Sequence, residues 1–443
     1  MARDDHNGKK PRHKGSGIIL RALGAIFVLV ICMQFLYLPD KDERPLTVSA
    51  PLVAGSPEFM TALSRLIDAP IERGEAVTPI DDGAQFEPIL LKALDAASSS
   101  IDFTTYPWAN GAFSNSVFAA LTRAASRGVE VRVLIDALGG HTTPNNLIAA
   151  LRAAGGKVAI YHPFSILDPM QFDSRDHVRS IVVDGKVGFL GGIGIGDIWL
   201  GDGVSKGWSD MMFQVQRTMA ESLQSAFAEV WNETTGEVIA GPLIYPPISA
   251  AETARETNQF IHVVSVPSDS YQPIRDTYLL SIGSAKKTLD IVNGFAVPDQ
   301  GTLDMIETAA KSGIAVRMLT PGPSTYAPIL RYAWEGDYDA LLKAGVRIFE
   351  YKPEMIHTKL LIADGVWSII GSANLDSRSD LLNDENVMGI ADPKLATALE
   401  QVFEKDLANS TEITLSAWQG RSVLEKGFTD VRAQFVLLFA KQL

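Results

Sequence analysis

The sequence predicts an α/β protein of two similar lobes, each a mostly parallel sheet flanked by helices, with an N-terminal transmembrane helix. Three observations predict this fold class. The chain of 443 residues repeats itself, strands alternate with helices inside each repeat, and one long uncharged apolar run follows a basic N-terminus. Two similar halves in one chain commonly pack about a pseudo-twofold axis, which brings equivalent elements together.

The first element is the apolar run ALGAIFVLVICMQFLYL at residues 22–38. It is at the short end for a membrane-spanning helix. Residues 1–16 carry five Lys or Arg, whereas the segment PDKDERP after the run is net acidic. The basic side is expected to stay in the cytoplasm, which predicts a single-pass inner-membrane protein with its main body on the periplasmic or extracytoplasmic side. A cleaved signal peptide is the alternative, but the small-residue stretch LTVSAP lies about ten residues beyond the run.

Charge and cysteine content exclude some classes of site. The net charge is −13, and the chain beyond the basic residues 1–16 carries −16. Such a body repels nucleic acid overall, because phosphate binding depends on Lys and Arg. Cys32 is the sole cysteine, so an intramolecular disulfide and a multi-cysteine metal site are both excluded.

The remaining elements occur twice, in the same order. Each copy begins with the end of a helix followed by a strand. A second helix, which ends at a Gly-containing stop, then leads into a strand with alternating apolar residues. Two further strand segments complete the copy. The matched segments are 93–103 with 280–291, 121–140 with 306–323, 153–163 with 343–353, and 177–192 with 357–372. This order indicates a duplication.

Proline and glycine mark the boundary between the copies, in the segment GPLIYPPI at 241–248. We therefore expect a basic tail and anchor at 1–45, a first lobe at 75–248 and a second lobe at 249–443. The second lobe ends in an amphipathic helical tail. Docking on the core and contact with a membrane surface are both open for that tail.

The last repeated segment carries the chemistry. In HTKLLIADG, His357 and Lys359 lie two apart and share a strand face. Asp364 has the opposite parity and begins an Asp-Gly turn, so we interpret it as structural. The first copy, HVRSIVVDG, places His177 and Arg179 in the same way.

The first copy's Asp184 is likewise interpreted as a turn residue. After the turn of the second copy, Ser372 and Asn374 lie two apart on the partner strand, and Glu385 follows. Two imidazoles suit phosphodiester cleavage without a metal: one attacks phosphorus, and the other protonates the leaving alcohol and then deprotonates the acceptor. Cationic and amide side chains hold the phosphoryl oxygens.

These motifs resemble the H-x-K-x4-D signature of the phospholipase D superfamily, and residues from about 75 to the end resemble its bacterial cardiolipin synthase branch. The segments that carry the resemblance are HTKLLIAD, GSANLDSRS, NDE, WSD and ITLSAW. The resemblance implies two phospholipase D-like lobes whose histidines meet at the interface. It implies His177 as nucleophile and His357 as general acid/base, with these roles exchangeable. It also implies that Asp210 orients His177 and that Glu385 orients His357.

The first copy departs from the family pattern at two positions. Arg179 stands where the family has Lys, and Gly194 stands where it has Asn. Arginine keeps its charge but is bulkier, and glycine loses a side-chain donor, although its backbone N–H can approach a ligand closely. We expect Gly192, Gly194, Ser372 and Asn374 to bind the substrate phosphate.

The resemblance implies transfer of a phosphatidyl group to phosphatidylglycerol or a similar alcohol at a membrane, with no metal or organic cofactor. Hydrolysis of phospholipid is the first alternative, because one covalent intermediate can react with water or with an alcohol. Single-stranded nucleic acid as substrate, which the net charge disfavours, and a lipid-binding protein with a degenerate first motif are the others. The sequence does not determine the oligomeric state.

Overall fold

The computed structural model describes residues 45–165, 173–267, 271–326 and 328–437. The predicted anchor at 22–38 lies outside these ranges. Among the described residues, no helix combines the length and apolar character needed to cross a membrane.

Sixteen strands and fourteen helices form the described part of the chain. The strands are β1 (Glu72–Gly74), β2 (Thr78–Asp81), β3 (Ser100–Thr105), β4 (Glu130–Asp136), β5 (Lys157–Tyr161), β6 (Ser180–Val183), β7 (Val187–Gly191), β8 (Met211–Gln216), β9 (Asn258–Ser265), β10 (Thr288–Asn293), β11 (Ala315–Pro321), β12 (Arg347–Tyr351), β13 (Lys359–Ala363), β14 (Trp367–Gly371), β15 (Glu385–Ala391) and β16 (Ser410–Ile413). The helices are α1 (Pro57–Leu66), α2 (Gly83–Ala96), α3 (Ala112–Ser126), α4 (Asn145–Ala153), α5 (Thr218–Thr235), α6 (Ala250–Thr253), α7 (Pro273–Ser284), α8 (Gln300–Lys311), α9 (Pro328–Trp334), α10 (Tyr338–Ala344), α11 (Ser377–Leu381), α12 (Pro393–Ala408), α13 (Leu415–Gly420) and α14 (Val423–Leu437).

Two sheets share one strand order, which confirms the predicted duplication. The first lobe has the order β2-β8-β7-β6-β3-β4-β5. The second has β9-β15-β14-β13-β10-β11-β12 in the equivalent positions, with β1 added at one edge and β16 at the other. The lobes are therefore two versions of one α/β unit.

The prediction of mostly parallel sheets is wrong, because both sheets are mixed. Only β3-β4-β5 and β10-β11-β12, which helices connect, run parallel. The remaining pairs are antiparallel, including the hairpins β6-β7 and β13-β14. Their short Asp-Gly turns reverse the chain at once, and a parallel pair needs a long crossover instead.

The two turn aspartates accept hydrogen bonds from backbone amides, and their interpretation as structural residues stays a prediction. Asp184 and Asp364 adopt left-handed backbone conformations, with φ of 54° and 55°. The carboxylate of Asp184 accepts the backbone N–H groups of residues 98, 99 and 100 at 2.7–3.1 Å. Asp364 accepts those of residues 286, 287 and 288 at 2.6–3.1 Å. Each carboxylate thus ties its hairpin to the loop before the first central strand of its lobe.

A shared apolar core joins the lobes. Val182 and Leu190 of the first lobe pack in one buried cluster with Val292, Leu360 and Ile370 of the second. A fully buried side chain of this kind contributes about 1.5–3 kcal/mol, so the cluster holds the two sheets in a fixed arrangement.

Residues before the predicted first lobe belong to the second lobe instead. Phe59, Met60 and Leu63 of α1 are buried in its main core, and β1 pairs antiparallel with β9. The chain therefore enters the second lobe, crosses to the first and returns. The predicted lobe boundaries at 75–248 and 249–443 stay predictions.

The described part of the C-terminal tail is helical, in α13 and α14. Trp418 of α13 packs on Tyr338, and α14 contributes Ala433 and Val436 to the buried surface. The tail therefore docks on the second lobe through one face.

Candidate active site

Each predicted catalytic histidine lies just before a central strand and is bonded to the opposite lobe. The backbone N–H of His177 donates to the carbonyl of Asp384 at 3.0 Å, and that of His357 donates to the carbonyl of Ser209 at 2.7 Å. Isolated parallel bridges join residue 176 to residue 384 and residue 209 to residue 356. These bridges place both histidines in the seam between the lobes, and both side chains are buried.

The acids are exchanged between the histidines, so the predicted pairing is wrong. His177 Nδ1 lies 2.7 Å from Glu385 Oε1, and His357 Nδ1 lies 2.7 Å from Asp210 Oδ2. The bridges explain the exchange. The backbone N–H of each histidine bonds to the residue just before the acid of the other lobe. The side chain of that acid therefore lies against Nδ1 of the histidine.

Other side chains hold the two acids in place. Glu385 accepts the hydroxyls of Ser372 at 2.5 Å and Ser379 at 2.7 Å. One oxygen of Asp210 accepts the indole N–H of Trp199 at 3.0 Å, and the other accepts the backbone N–H of the residue that follows Asp210 in the chain, at 2.8 Å. The predicted phosphate contact of Ser372 stays a prediction, since its hydroxyl here serves the carboxylate.

Gly192 makes room for the first-lobe acid. A Cβ at this position would lie 2.1 Å from Asp210 Oδ1. The backbone N–H of Gly192 donates to the Met211 carbonyl at 2.9 Å, just beyond the end of β7. Its predicted role in phosphate binding is untested, and the observed role is steric.

One buried cation lies against each histidine. Lys359 Nζ is 2.8 Å from His357 Nε2 and 2.6 Å from the His357 carbonyl. Arg179 Nη2 is 3.3 Å from His177 Nε2, and its Nη1 is 3.5 Å from the carbonyl of Ser372. Two basic groups therefore flank the Nε2 atoms of the histidines, an arrangement that can stabilise a phosphate group by charge-assisted hydrogen bonds.

The two histidines differ in their electrostatic surroundings. Burial, together with Arg179 and Lys359, lowers the pKa of His177 well below its usual value. Burial and Lys359 lower the pKa of His357 to about 3, against the opposite effect of Asp210. Both imidazoles are neutral in the empty site near pH 7.

The two acids differ as well. Burial raises the pKa of Glu385 to about 7. Burial alone would raise the pKa of Asp210, but His357 and the cations Lys359 and Arg179 lower it below its ordinary value. His357 therefore has an ionised partner, while the partner of His177 is close to half-protonated near neutral pH.

Asn374 and Gly194 occupy equivalent positions but different surroundings. The Asn374 backbone N–H donates to Ser379 Oγ at 3.1 Å, and its buried side-chain oxygen makes no hydrogen bond in the described part of the chain. A Cβ at Gly194 would lie 2.8 Å from Pro107 Cδ and 2.9 Å from the Pro107 carbonyl oxygen. Phosphate contact at either position stays a prediction.

Aromatic side chains form a wall around the site that the sequence analysis did not identify. The rings of Trp199, Trp208 and Phe295 lie 5.4–5.6 Å from the His357 ring, and the Tyr106 ring lies 4.9 Å from the His177 ring. The duplication gives one signal for Trp199, which aligns with Ser379. Each of the two side chains donates a hydrogen bond to the acid of its own lobe, Trp199 to Asp210 and Ser379 to Glu385.

Within the ranges that the structure describes, no group of three or more His, Cys, Asp or Glu is arranged to hold a metal ion. The prediction that the reaction needs no cofactor stays a prediction.

Comparisons with known proteins identify the same two segments. A family model described as cardiolipin synthase, PLD-like domain, matches residues 90–231 and 278–407. Cardiolipin synthase 1 of Bacillus anthracis is 31% identical over 394 residues, which cover 86% of this chain and 76% of that protein. Cardiolipin synthase of Staphylococcus aureus (strain Mu50) is 30% identical over 347 residues, which cover 77% and 69%.

Solved structures share the fold at low identity. The phosphatidylserine synthase of Haemophilus influenzae Rd KW20 superposes with a TM-score of 0.66 at 14% identity, covering 87% of this chain and 100% of that one. A polyphosphate kinase from Porphyromonas gingivalis gives 0.53 at 13% identity, covering 84% and 53%. These two likenesses show the two-lobed fold.

Proposed function

The chain belongs to the cardiolipin synthase family of phospholipase D-like proteins and is a phospholipid-modifying enzyme, and from this premise we propose that it transfers a phosphatidyl group between phospholipids through a phosphohistidine. One observation carries the proposal. Two histidine–acid pairs and two cations, Arg179 and Lys359, converge in the buried seam between the lobes.

His177 is the proposed nucleophile. Its neutral imidazole has no fully ionised partner, and three cations around it disfavour a bound proton. Its Nε2 attacks phosphorus and the bond from phosphorus to the leaving alcohol breaks. Arg179 and Lys359 stabilise the charge that develops on the phosphoryl oxygens.

His357 is the proposed general acid and base. A proton on this imidazole is stabilised by the ionised Asp210 at 2.7 Å and, when substrate is bound, by the phosphate charge. It gives the proton to the leaving alcohol. It then accepts a proton from the incoming hydroxyl, whose oxygen bonds to phosphorus as the bond to His177 Nε2 breaks.

Burial of the site supports transfer over hydrolysis. His177 and His357 are only 6% and 4% exposed, and aromatic rings surround His357. Exclusion of water favours an alcohol acceptor that is bound in place. With phosphatidylglycerol as both donor and acceptor, the products are cardiolipin and glycerol.

Membrane placement is part of the proposal and rests on the sequence. The apolar run at 22–38 and the charges on either side of it support a single-pass anchor with the lobes on the periplasmic or extracytoplasmic side. A lipid substrate supports the same placement.

The test is the identity of the product. Detergent-purified full-length protein is incubated with labelled phosphatidylglycerol and, separately, with labelled single-stranded DNA. Cardiolipin with released glycerol supports the proposal. Phosphatidic acid alone points to hydrolysis, and shortened DNA without any lipid product overturns the lipid assignment. His177→Ala and His357→Ala are expected to abolish turnover, whereas His141→Ala, at an exposed position where the ring contacts the Leu138 carbonyl, is the matched control.

A further inference from the structure

The two halves of the site carry complementary sets of side chains at two equivalent positions. The backbone segment after the first central strand presents Tyr106 in the first lobe and Gly294 in the second. The segment after the Gly-Gly or Gly-Ser pair presents Gly194 in the first lobe and Asn374 in the second. At these two positions the first lobe therefore has tyrosine and glycine, and the second lobe has glycine and asparagine.

Packing explains why each half holds only one of the two side chains. A Cβ at Gly194 would lie 2.8–3.0 Å from three atoms of Pro107, so this segment occupies the space of an asparagine side chain. A Cβ at Gly294 would lie 2.8 Å from His357 Cα and 2.9 Å from the Ile356 carbonyl oxygen, so a larger residue is excluded there. In the first lobe, Pro107 packs closely on Gly194, and the residue before it, Tyr106, lies beside His177.

The Tyr106 side chain is placed within the site. Its ring centroid is 4.9 Å from that of His177, and Gly139 leaves space for the ring edge, since a Cβ there would lie 2.5 Å from two ring carbons. The effects on its hydroxyl are burial and nearby charged groups. Arg175, Arg179 and Arg378 all lie within electrostatic range of that hydroxyl.

We propose that the Tyr106 hydroxyl donates a hydrogen bond to a non-bridging phosphoryl oxygen and replaces, in the first half-site, the amide that Asn374 supplies in the second. The inference rests on the proposed function, because it names a further substrate-contacting residue of the same site. Tyr106 and Arg179 then hold the phosphoryl group on the His177 side, and Asn374 and Lys359 hold it on the His357 side.

Electrostatics keep the phenol in its donating form. Burial, with a smaller effect of Asp136, raises the pKa of Tyr106 above its ordinary value. The hydroxyl therefore keeps its proton near neutral pH. A hydrogen bond from this neutral hydroxyl to a phosphate would be charge-assisted, and such bonds are stronger than those between two neutral groups.

The test removes one oxygen atom and keeps the ring. Tyr106→Phe is expected to lower kcat/KM for phosphatidyl transfer by about 10- to 150-fold, the range for a hydrogen bond to a charged group. Binding of orthovanadate, a phosphoryl analogue, should weaken by a similar factor. Tyr326→Phe is the matched control, because Tyr326 is 76% exposed and its ring lies 5.4 Å from that of Trp208, outside the residues proposed to hold the phosphoryl group.

Three outcomes separate the claims. A loss in both transfer and vanadate binding for Tyr106→Phe, with Tyr326→Phe at the wild-type level, supports the inference. Wild-type values for Tyr106→Phe overturn it and leave the proposed function in place. A loss of transfer with unchanged vanadate affinity also overturns it, because the hydroxyl then acts elsewhere than on the phosphoryl group. Failure of the proposed function shows separately, as wild-type protein that forms no lipid product.

Discussion

Replacement of each acid tests the exchange of partners between the lobes. Asp210→Asn should show the same dependence on the leaving group as His357→Ala, and Glu385→Gln the same as His177→Ala, with smaller losses of rate than either alanine variant. The reason is geometric, since each acid lies 2.7 Å from the Nδ1 of the histidine in the other lobe. Both substitutions keep the size of the side chain, so the buried seam is preserved.

The expected size of the effect follows from the hydrogen bonds lost. A hydrogen bond to a charged group is worth about 1.5–3 kcal/mol, which corresponds to about 10- to 150-fold in rate. Loss of general acid–base catalysis sets an upper limit of about 10⁴-fold. We expect about a 100-fold loss for Asp210→Asn with phosphatidylglycerol, because its Oδ2 bonds His357 directly.

Two donors with different leaving groups distinguish the histidines. Glycerol needs a proton to leave, whereas p-nitrophenolate leaves as the anion. The burst of nitrophenolate from phosphatidyl-p-nitrophenol in the first turnover should therefore survive in His357→Ala and Asp210→Asn. It should be lost in His177→Ala and weakened in Glu385→Gln.

The comparison is independent of which histidine is the nucleophile. If the roles are exchanged, both matched pairs change together, and Asp210 still follows His357. The exchange of acids is refuted if Asp210→Asn shows the leaving-group pattern of His177→Ala and Glu385→Gln shows that of His357→Ala.

Three further predictions concern the cations and the turn residues. Burial lowers the pKa of Lys359 to about 7, so its positive charge is lost as pH rises through that value, and kcat/KM should fall on the alkaline side of the pH profile. Lys359→Arg does not titrate there and should remove this alkaline fall. An unchanged alkaline fall in Lys359→Arg would contradict its assignment to Lys359. Arg179→Lys should lower kcat/KM by about 10-fold, because Arg179 reaches the ring of His177 and the carbonyl of Ser372 with two nitrogens, and a lysine offers one; an increase in kcat/KM would contradict this reasoning. Asp184→Asn and Asp364→Asn should each lower the free energy of unfolding in urea by about 1–3 kcal/mol while the folded fraction keeps its activity, and a selective loss of kcat without loss of stability would make these residues functional.

Local patterns in the sequence predict the duplication, the two histidines, the cation beside each one and the structural turn aspartates. These features depend on residues close together in the chain, such as His357, Lys359 and Asp364, so strand periodicity and turn chemistry are enough to interpret them. The mixed character of the sheets was missed, because a helix–strand alternation indicates parallel pairing only for the strands that the helices connect.

Contacts between the lobes could not be predicted in the same way. Matching by chain position assigns Asp210 to His177, within one lobe, whereas the bridges across the seam bring Asp210 to His357. The membership of α1 in the second lobe and the aromatic wall around His357 are equally products of tertiary packing. The sequence indicated only that Gly194 loses a side-chain donor. Its close packing on Pro107, the residue after Tyr106, is a tertiary contact that only the structure shows.

The most direct measurement of the proposed mechanism is the site of the covalent intermediate. His357→Ala protein is mixed with phosphatidyl-p-nitrophenol labelled in the phosphate, quenched in alkali within the first turnover, digested and mapped. We expect one labelled peptide, which contains His177, in an amount that matches the nitrophenolate burst. A burst without label on His177, or label on a residue outside the seam, would contradict catalysis by a His177 nucleophile.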